Sequence, residues 1–290
     1  MKRKIGCWIE AMRLRTLPVS VAGVIAGCGY AAAARSFDLT VAALCMAFAV
    51  LAQIASNFAN EYFDFRGGLD RKGREGPRRG VTEGDITPRA MLVATLATLG
   101  AACAIGLSLI CYGGWWLIAV GAFVAVGVMA YSTGPYPLSH HGLGEVAVVL
   151  FFGVIPVTLT YWLQAHNWAL EVIAASVAIG LMGANVLLVN NYRDMDDDRA
   201  VGKRTLTVKI GRTATAAIYL ANGYAAMGLM ICTWFALGWK GVFLPLDYLV
   251  AHTALWRLLV RRRGSALNPL LGITAMLMLV FSIVLTLIIA

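Results

Sequence analysis

The sequence predicts an all-α, polytopic membrane protein with nine transmembrane helices around a central cavity, arranged as two four-helix halves plus a ninth helix. Of its 290 residues, 60% are hydrophobic and only 13% are charged, whereas a soluble domain is about half apolar and about a quarter charged. The apolar residues form runs of about 20, the length that a helix needs to cross a bilayer. The basic residues lie mainly between these runs, and they predict the orientation.

Nine apolar runs are the candidate spans. They cover residues 17–34, 39–63, 89–111, 115–131, 145–164, 168–190, 213–237, 241–260 and 267–289. Most links between them are short, so we expect residues 1–290 to form a single integral-membrane domain.

The distribution of Lys and Arg predicts a cytoplasmic N-terminus and an external C-terminus. With that orientation, all but two of the 24 basic residues fall on the cytoplasmic side, and only Arg35 and Lys240 fall outside. Cytoplasmic loops of membrane proteins carry such an excess. The net charge of +9 is then mainly a consequence of topology, and it requires no nucleic acid. No protein partner can be inferred.

Polar side chains form a column on one face at the end of two of the predicted spans. On the first helix they are spaced at i, i+4, i+7 and i+11: Gln53, Asn57, Asn60 and Asp64. On the second they are spaced at i, i+4 and i+8, with Asn191 beside them: Asn190, Asp194 and Asp198. Residues at these spacings share one helix face. Each cluster stands at the same place in its half of the chain, so we expect the two to face each other across the cavity.

The clusters have the chemistry of a divalent-metal site that binds a phosphate. Amide and carboxylate oxygens suit Mg²⁺, which is usually held by one or two carboxylates together with substrate phosphates. The aspartates Asp64, Asp70, Asp194 and Asp198 balance two such ions, and the following loops supply cations for a bound diphosphate. These cations are Arg71, Arg74, Arg78, Arg79, Arg193, Lys203 and Arg204.

Some polar residues near the clusters have plainer interpretations. We expect Asp196 and Asp197 only to extend from a helix end to the membrane surface. The asparagines could instead form hydrogen bonds between helices; these are Asn57, Asn60, Asn185 and Asn190. His140 and His141 are adjacent and cannot share a helix face, so we expect no metal role for them.

Three stretches resemble the UbiA superfamily of intramembrane prenyltransferases, and within it the 1,4-dihydroxy-2-naphthoate polyprenyltransferase branch. The first runs from Gln53 to Asp64 and continues through Gly68 and Asp70 to Arg78. The second is Tyr131 with the segments 134–138 and 142–145. The third is residues 190–194 followed by 198–206. The superfamily commonly has an acid four residues after the first aspartate, where this chain has Gly68, and Asp70 is the candidate substitute.

The resemblance implies an Mg²⁺-dependent transfer of a polyprenyl group from polyprenyl diphosphate to 1,4-dihydroxy-2-naphthoate, with loss of CO₂ and diphosphate, giving demethylmenaquinol. It implies a bacterial cytoplasmic (inner) membrane location with the active site toward the cytoplasm. The implied catalytic residues are Asp64, Asp194 and Asp198, and the metal ligands are Asn60, Asp64, Asp70, Asn190, Asn191, Asp194 and Asp198. Diphosphate would contact Arg71, Arg74, Arg78, Arg193 and Lys203, and the aromatic acceptor would contact Gln53, Asn57, Tyr131 and Glu145.

Two other functions remain open on the sequence. A prenyltransferase of another aromatic acceptor, such as 4-hydroxybenzoate, would need the same metal and diphosphate chemistry. A cation-coupled transporter would also carry acids at a repeat interface, near the bilayer midplane. Here the acids lie at the cytoplasmic ends of their spans, beside basic loops, which favours phosphate chemistry.

Overall fold

The computed structural model describes residues 2–73 and 75–290, with side chains from residue 5 onward except at Lys240. Within these ranges every regular element is helical and no strand occurs, which confirms the predicted all-α class. The helices are α1 (Lys2–Met12), α2 (Leu17–Ala33), α3 (Leu39–Arg66), α4 (Gly80–Glu83), α5 (Pro88–Ser108), α6 (Ile110–Gly113), α7 (Leu117–Ala130), α8 (Gly144–Val148), α9 (Ile155–Ala165), α10 (Leu170–Ala200), α11 (Leu206–Leu229), α12 (Ile231–Ala236), α13 (Lys240–Arg261) and α14 (Asn268–Ile289).

In the described part of the chain, seven helical segments are long and apolar enough to cross a membrane. They are Ile5–Ala33, Leu39–Arg66, Pro88–Gly113, Gly144–Ala165, Leu170–Ala200, Gly241–Arg261 and Gly264–Ile289. α7 is apolar but shorter than these. The predicted span 213–237 is divided between α11 and α12, because the helix is interrupted at Met230.

The two helices that carry the polar clusters both extend beyond their predicted ends. α3 continues to Arg66 and α10 to Ala200, so each cluster is helical throughout. Residues 191–200 contain no glycine or proline that would end α10. A glycine follows each of the two helices: Gly68 after α3 and Gly202 after α10 have φ values of 68° and 80°, a conformation common just beyond helix ends. At the other end of α3, the Asp38 side chain accepts hydrogen bonds from the Thr40 and Val41 amides, as an N-cap does.

α10 forms the centre of the molecule. It packs against α2, α8, α9, α11 and α14, and most of its residues are buried. α3 packs mainly against α5 and also contacts α2, α7 and α9. The ends of α3 and α10 that carry the polar clusters are therefore held in one bundle by shared neighbours, with a space between them.

A very close helix contact lies beside this space. Residues Val149–Val154 form a single π-helical turn ahead of Pro156, which has no amide hydrogen to continue the regular pattern. Gly153 in this turn packs on α10 so closely that a Cβ atom built there would lie 2.4 Å from the Gly180 Cα and 2.4 Å from the Ser176 carbonyl oxygen. Only glycine fits this position.

We predict that Gly153→Ala destabilises the folded protein by about 2 kcal/mol or more, because the new methyl meets backbone that cannot move aside. Thermal unfolding of the detergent-purified variant measures this as a lower Tm. Gly100→Ala on α5 is the matched control, since a Cβ there meets nothing within 4 Å, and its Tm should be unchanged or higher. An unchanged Tm for Gly153→Ala would contradict the packing described.

Candidate functional site

The ends of α3 and α10 line one cavity of about 270 Å³. On α3 its wall runs from Cys45 to Asp64, a rise of about 28 Å along the helix axis. The end nearest the basic loops is polar and the remainder is lined mainly by apolar side chains. Predicted site residues on this wall are Gln53, Asn57, Asn60, Asp64, Tyr131, Glu145, Asn190, Asn191, Asp194, Asp198 and Lys203. The expectation that the two clusters face a common space agrees with this geometry.

Asp64 is completely buried, and two side chains from distant parts of the sequence contact its carboxylate. The Lys203 ammonium donates to Oδ2 at 2.8 Å, and His140 Nε2 lies 3.3 Å from Oδ1. His140 belongs to the loop 131–144, and the amide of Arg204 donates to its carbonyl oxygen. The two loops that follow α7 and α10 therefore meet over the end of α3.

Asp194 is held in a different way, by the residue next to it. Arg193 donates from Nε and Nη2 to the two carboxylate oxygens, both at 2.7 Å. The same guanidinium also donates to Asn190 at 2.8 Å and to Asn268 at 2.9 Å. Arg193 is 3% exposed, and the structure places it behind Asp194 as a support, joined to α14, with its donors engaged by protein oxygens.

Two arginines donate hydrogen bonds to Asn60 at the cavity wall. Its Oδ1 accepts hydrogen bonds from Arg13 and from Arg79, the latter at 3.3 Å, and its amide donates to the Ser132 hydroxyl at 3.2 Å. Arg13 and Arg79 both line the cavity. Arg79 also pairs with Asp70 at 3.4 Å, which ties the loop after α3 to this corner of the site.

Asp70 lies in a small recess beside the main cavity. The loop after α3, the end of α10 and the loop that follows it form this recess: Leu69, Asp70, Arg71, Asp197, Asp198, Val201 and Lys203. Asp198 and Lys203 line both spaces. Asp70 is thus adjacent to the proposed ligands of the second cluster, although the main cavity wall does not include it among the described residues.

The loop after α3 is fastened across the site to the second half of the molecule. Arg71 pairs with Asp197, and the Glu75 amide donates to the same carboxylate at 3.1 Å. The Glu75 carboxylate in turn accepts the Ser265 amide at 2.8 Å. Asp197 therefore holds this loop and is more than a surface charge, whereas Asp196 is exposed and pairs only with Arg212 among the described contacts.

The remaining predicted cations differ in placement. Arg78 is partly exposed and pairs with Asp85, outside the cavity wall formed by the described residues. Arg74 lies outside the described residues. Of the predicted diphosphate contacts that the structure describes, Lys203 is the one on the cavity wall.

The polar groups deeper in the cavity are partly satisfied by protein. The Asn57 amide donates to the Met12 carbonyl at 2.9 Å and the Gln53 amide to the Thr16 hydroxyl at 3.3 Å. Glu145 accepts a hydrogen bond from the Asn191 amide at 2.8 Å. These contacts also show that the chain before α2 lies against α3.

The sequence did not predict Arg13, Ser132 and His140 as site residues, and it predicted Arg79 only as one of several loop cations for a bound diphosphate. Arg13 is one of five basic residues in the N-terminal arm, and its place in the sequence does not put it beside either cluster. Its backbone has a φ of 53°, which turns the chain between α1 and α2 and is not readable from sequence. His140 lies in a loop without Lys or Arg, and that composition, unusual for a loop predicted to be cytoplasmic, was the one available signal.

The donor set fits a hard divalent cation, although the carboxylates now face protein cations. Among the described residues no group of three or more His, Cys, Asp or Glu side chains is arranged to hold a metal ion. The oxygens of Asn60, Asp64, Asn190, Asn191, Asp194 and Asp198 nevertheless share one cavity, and oxygen ligands of this kind are those that Mg²⁺ uses.

Comparison with known proteins gives one consistent family. The profile of the UbiA prenyltransferase family matches residues 20–280. The 1,4-dihydroxy-2-naphthoate octaprenyltransferase of Haemophilus influenzae is 31% identical over 300 residues, covering 99% of this chain and 96% of that protein. The protein of the same name from Mycobacterium tuberculosis is 36% identical, covering 95% and 94%. The one from Escherichia coli is 35% identical, covering 78% and 74%.

Solved structures share the fold. A UbiA homolog from Archaeoglobus fulgidus bound to GPP and Mg²⁺ superposes with a TM-score of 0.70 at 13% identity, covering 97% of this chain and 99% of that one. The apo UbiA homolog from Aeropyrum pernix gives a TM-score of 0.70 at 19% identity, covering 92% and 97%. With the sequence match over most of its length, this chain belongs to the UbiA prenyltransferase family.

Proposed function

We propose that this protein transfers a polyprenyl group from polyprenyl diphosphate to 1,4-dihydroxy-2-naphthoate, releasing diphosphate and CO₂ and giving demethylmenaquinol. The observation that carries the proposal is the convergence of two Asn/Asp clusters on the polar end of one long apolar cavity. The relatives that are 31% to 36% identical and named for this reaction support the choice of acceptor.

The polar end suits the diphosphate and a divalent metal. The side chains that would hold Mg²⁺ are Asn60, Asp64, Asp70, Asn190, Asn191, Asp194 and Asp198. When bound, Mg²⁺ would stabilise the negative charge that develops on the leaving diphosphate. The A. fulgidus homolog bound to GPP and Mg²⁺ supports a metal of this kind in a shared fold.

This chain's cations would complete the anion site. Lys203 already lies within hydrogen-bond distance of Asp64 on the cavity wall, so its ammonium can reach an anion bound at the same place. Arg71, Arg74, Arg78 and Arg193 are the other proposed contacts. Arg193 would act mainly through Asp194, because its donors already bind Asp194, Asn190 and Asn268.

The apolar wall would hold the prenyl chain and exclude water from its reactive carbon. Residues from Cys45 to Ala52 on α3 and from Leu117 to Val128 on α7 line the deep part of the cavity. An allylic cation formed at the polar end would meet few water molecules, which limits hydrolysis as a side reaction. The aromatic acceptor would approach near Gln53, Asn57, Tyr131 and Glu145, whose polar atoms interrupt this wall.

An acceptor panel tests the proposed reaction directly. Purified protein with Mg²⁺ and a long-chain polyprenyl diphosphate should prenylate 1,4-dihydroxy-2-naphthoate and release CO₂, measured by chromatography of the lipid product and by trapped ¹⁴CO₂. We expect 4-hydroxybenzoate to react at least about 100-fold less efficiently in kcat/KM. Preference for 4-hydroxybenzoate would instead support the alternative acceptor.

Substitution of Asp64 and Asp194 tests their proposed catalytic role. Asp198 is the third residue to which we assign this role. We predict that Asp64→Asn and Asp194→Asn each lower kcat by at least about 100-fold, as the loss of groups that stabilise transition-state charge does. Asp196→Asn is the matched control, because Asp196 lies on the same helix but its side chain is 72% exposed. Full activity in either folded cavity variant would contradict the assignment.

We further propose nine spans with a cytoplasmic N-terminus and an external C-terminus, in a bacterial cytoplasmic membrane, as a single domain of residues 1–290. Counting α7 and the α11–α12 segment with the seven longer spans supports nine crossings, and the basic loops support the orientation. We predict that green fluorescent protein fused after Arg212 is fluorescent and that alkaline phosphatase fused after Ala290 is active. Fluorescence from a fusion after Ala290 would contradict this orientation.

A further inference from the structure

Three oxygens on the cavity wall lack a hydrogen-bond partner among the described residues: the Ser20 hydroxyl, Gln53 Oε1 and Glu145 Oε2. Their residues are at most 8% exposed. A buried oxygen without a donor is unfavourable, so each is a candidate for contact with a bound molecule. The three oxygens lie at different depths in the cavity, and the depth of each decides which part of a substrate it could contact.

Gln53 and Ser20 lie too deep to contact the reacting end of a prenyl diphosphate held at the clusters. Gln53 precedes Asp64 by 11 residues on one unbroken helix, so it lies about 16 Å along the axis from it. The Gln53 amide bonds to Thr16, and Ser20 is one turn further along α2. Both oxygens therefore lie on the deep side of the proposed acceptor position, away from the reacting carbon.

Glu145 lies beside the polar end instead. Its Oε1 accepts the Asn191 amide at 2.8 Å, and Asn191 stands one helical turn before Asp194, about 5 Å along α10. Within the described part of the chain, Glu145 Oε2 is thus an acceptor without a donor. It lies close to the place where the diphosphate and the first carbon of the prenyl group would lie. Its partner should be a hydrogen-bond donor on the second substrate.

The proposed acceptor has one donor that meets this need. In 1,4-dihydroxy-2-naphthoate the 1-hydroxyl is next to the carboxylate and can donate to it internally, whereas the 4-hydroxyl has no acceptor within the molecule. The Glu145 carboxyl group is also better placed far from the substrate's own carboxylate, since like charges repel. The 4-hydroxyl is both a free donor and the hydroxyl that lies farther from that carboxylate.

We propose that Glu145 Oε2 accepts a hydrogen bond from the 4-hydroxyl of the aromatic acceptor and thereby orients its ring against the prenyl group. This inference rests on the proposed function. The new bond would form at the ring carbon that bears the carboxylate, and the 4-hydroxyl is meta to that carbon. The contact therefore positions the ring and selects among acceptors, and Glu145 takes no proton from the reaction. An acceptor without this hydroxyl leaves Glu145 unsatisfied and binds less tightly.

The test combines one protein change with one ligand change. In Glu145→Gln the side-chain carbonyl can keep the Asn191 contact, while an NH₂ donor replaces the acceptor Oε2. The ligand 1-hydroxy-2-naphthoate lacks only the 4-hydroxyl. With wild-type protein, we expect it to inhibit with a Ki about tenfold or more above the KM for the dihydroxy acceptor; in Glu145→Gln this difference should shrink to about twofold.

Other kinetic constants separate this role from a structural one. The KM for polyprenyl diphosphate should change by less than about twofold in Glu145→Gln. Glu61→Gln is the matched control: Glu61 is also buried with a partnerless Oε2 among the described residues, but it does not line the cavity. Its discrimination between the two naphthoates should equal that of wild type.

Each outcome is informative. If wild type prenylates the dihydroxy acceptor and Glu145→Gln keeps the full difference between the ligands, the Glu145 contact is overturned and the proposed function stands. If wild type neither binds nor prenylates that acceptor, both fail. Should Glu145→Gln not fold, the 4-methoxy analogue on wild type decides: equal affinity for the methoxy and hydroxy forms overturns the contact.

Discussion

The burial of Asp64 and Asp194 is the constraint on which the rest of the site depends. A carboxylate taken out of water is strongly unfavourable unless a cation and hydrogen bonds accompany it. Asp64 is 0% exposed and Asp194 is 1% exposed, so each must be matched. Lys203 and His140 converge on the first, and Arg193 binds the second through both oxygens. The loops around the cavity are arranged by this requirement.

The two halves of the molecule meet this requirement differently, and the difference explains how the loops are placed. Arg193 is adjacent to Asp194 on α10, so that pair needs no other segment of the chain. Asp64 has no cation on its own helix within reach and depends on residues far along the chain. The first half of the site is therefore complete only when the loop after α10 has docked on the end of α3.

Helix periodicity predicted much of this arrangement, and tertiary contacts supplied the rest. The spacing of Asn60 and Asp64, and of Asn190, Asp194 and Asp198, put each column on one face, and these residues do line one cavity. Which cation serves which acid was not predictable, because Lys203 and His140 reach Asp64 across more than 70 residues of sequence. Arg13 is oriented by a left-handed turn that no local pattern marks.

The same ion pairs also limit what can bind. In this structure three acids in and beside the cavity are each paired with a cation: Asp64 with Lys203, Asp194 with Arg193, and Asp70 with Arg79. A divalent cation placed among these acids adds positive charge next to Lys203, and a diphosphate placed alone adds negative charge next to Asp64. Either change is costly in a low-dielectric cavity, but together the two largely cancel. The charge balance of the site therefore favours the proposed metal and diphosphate binding as a unit over either one alone.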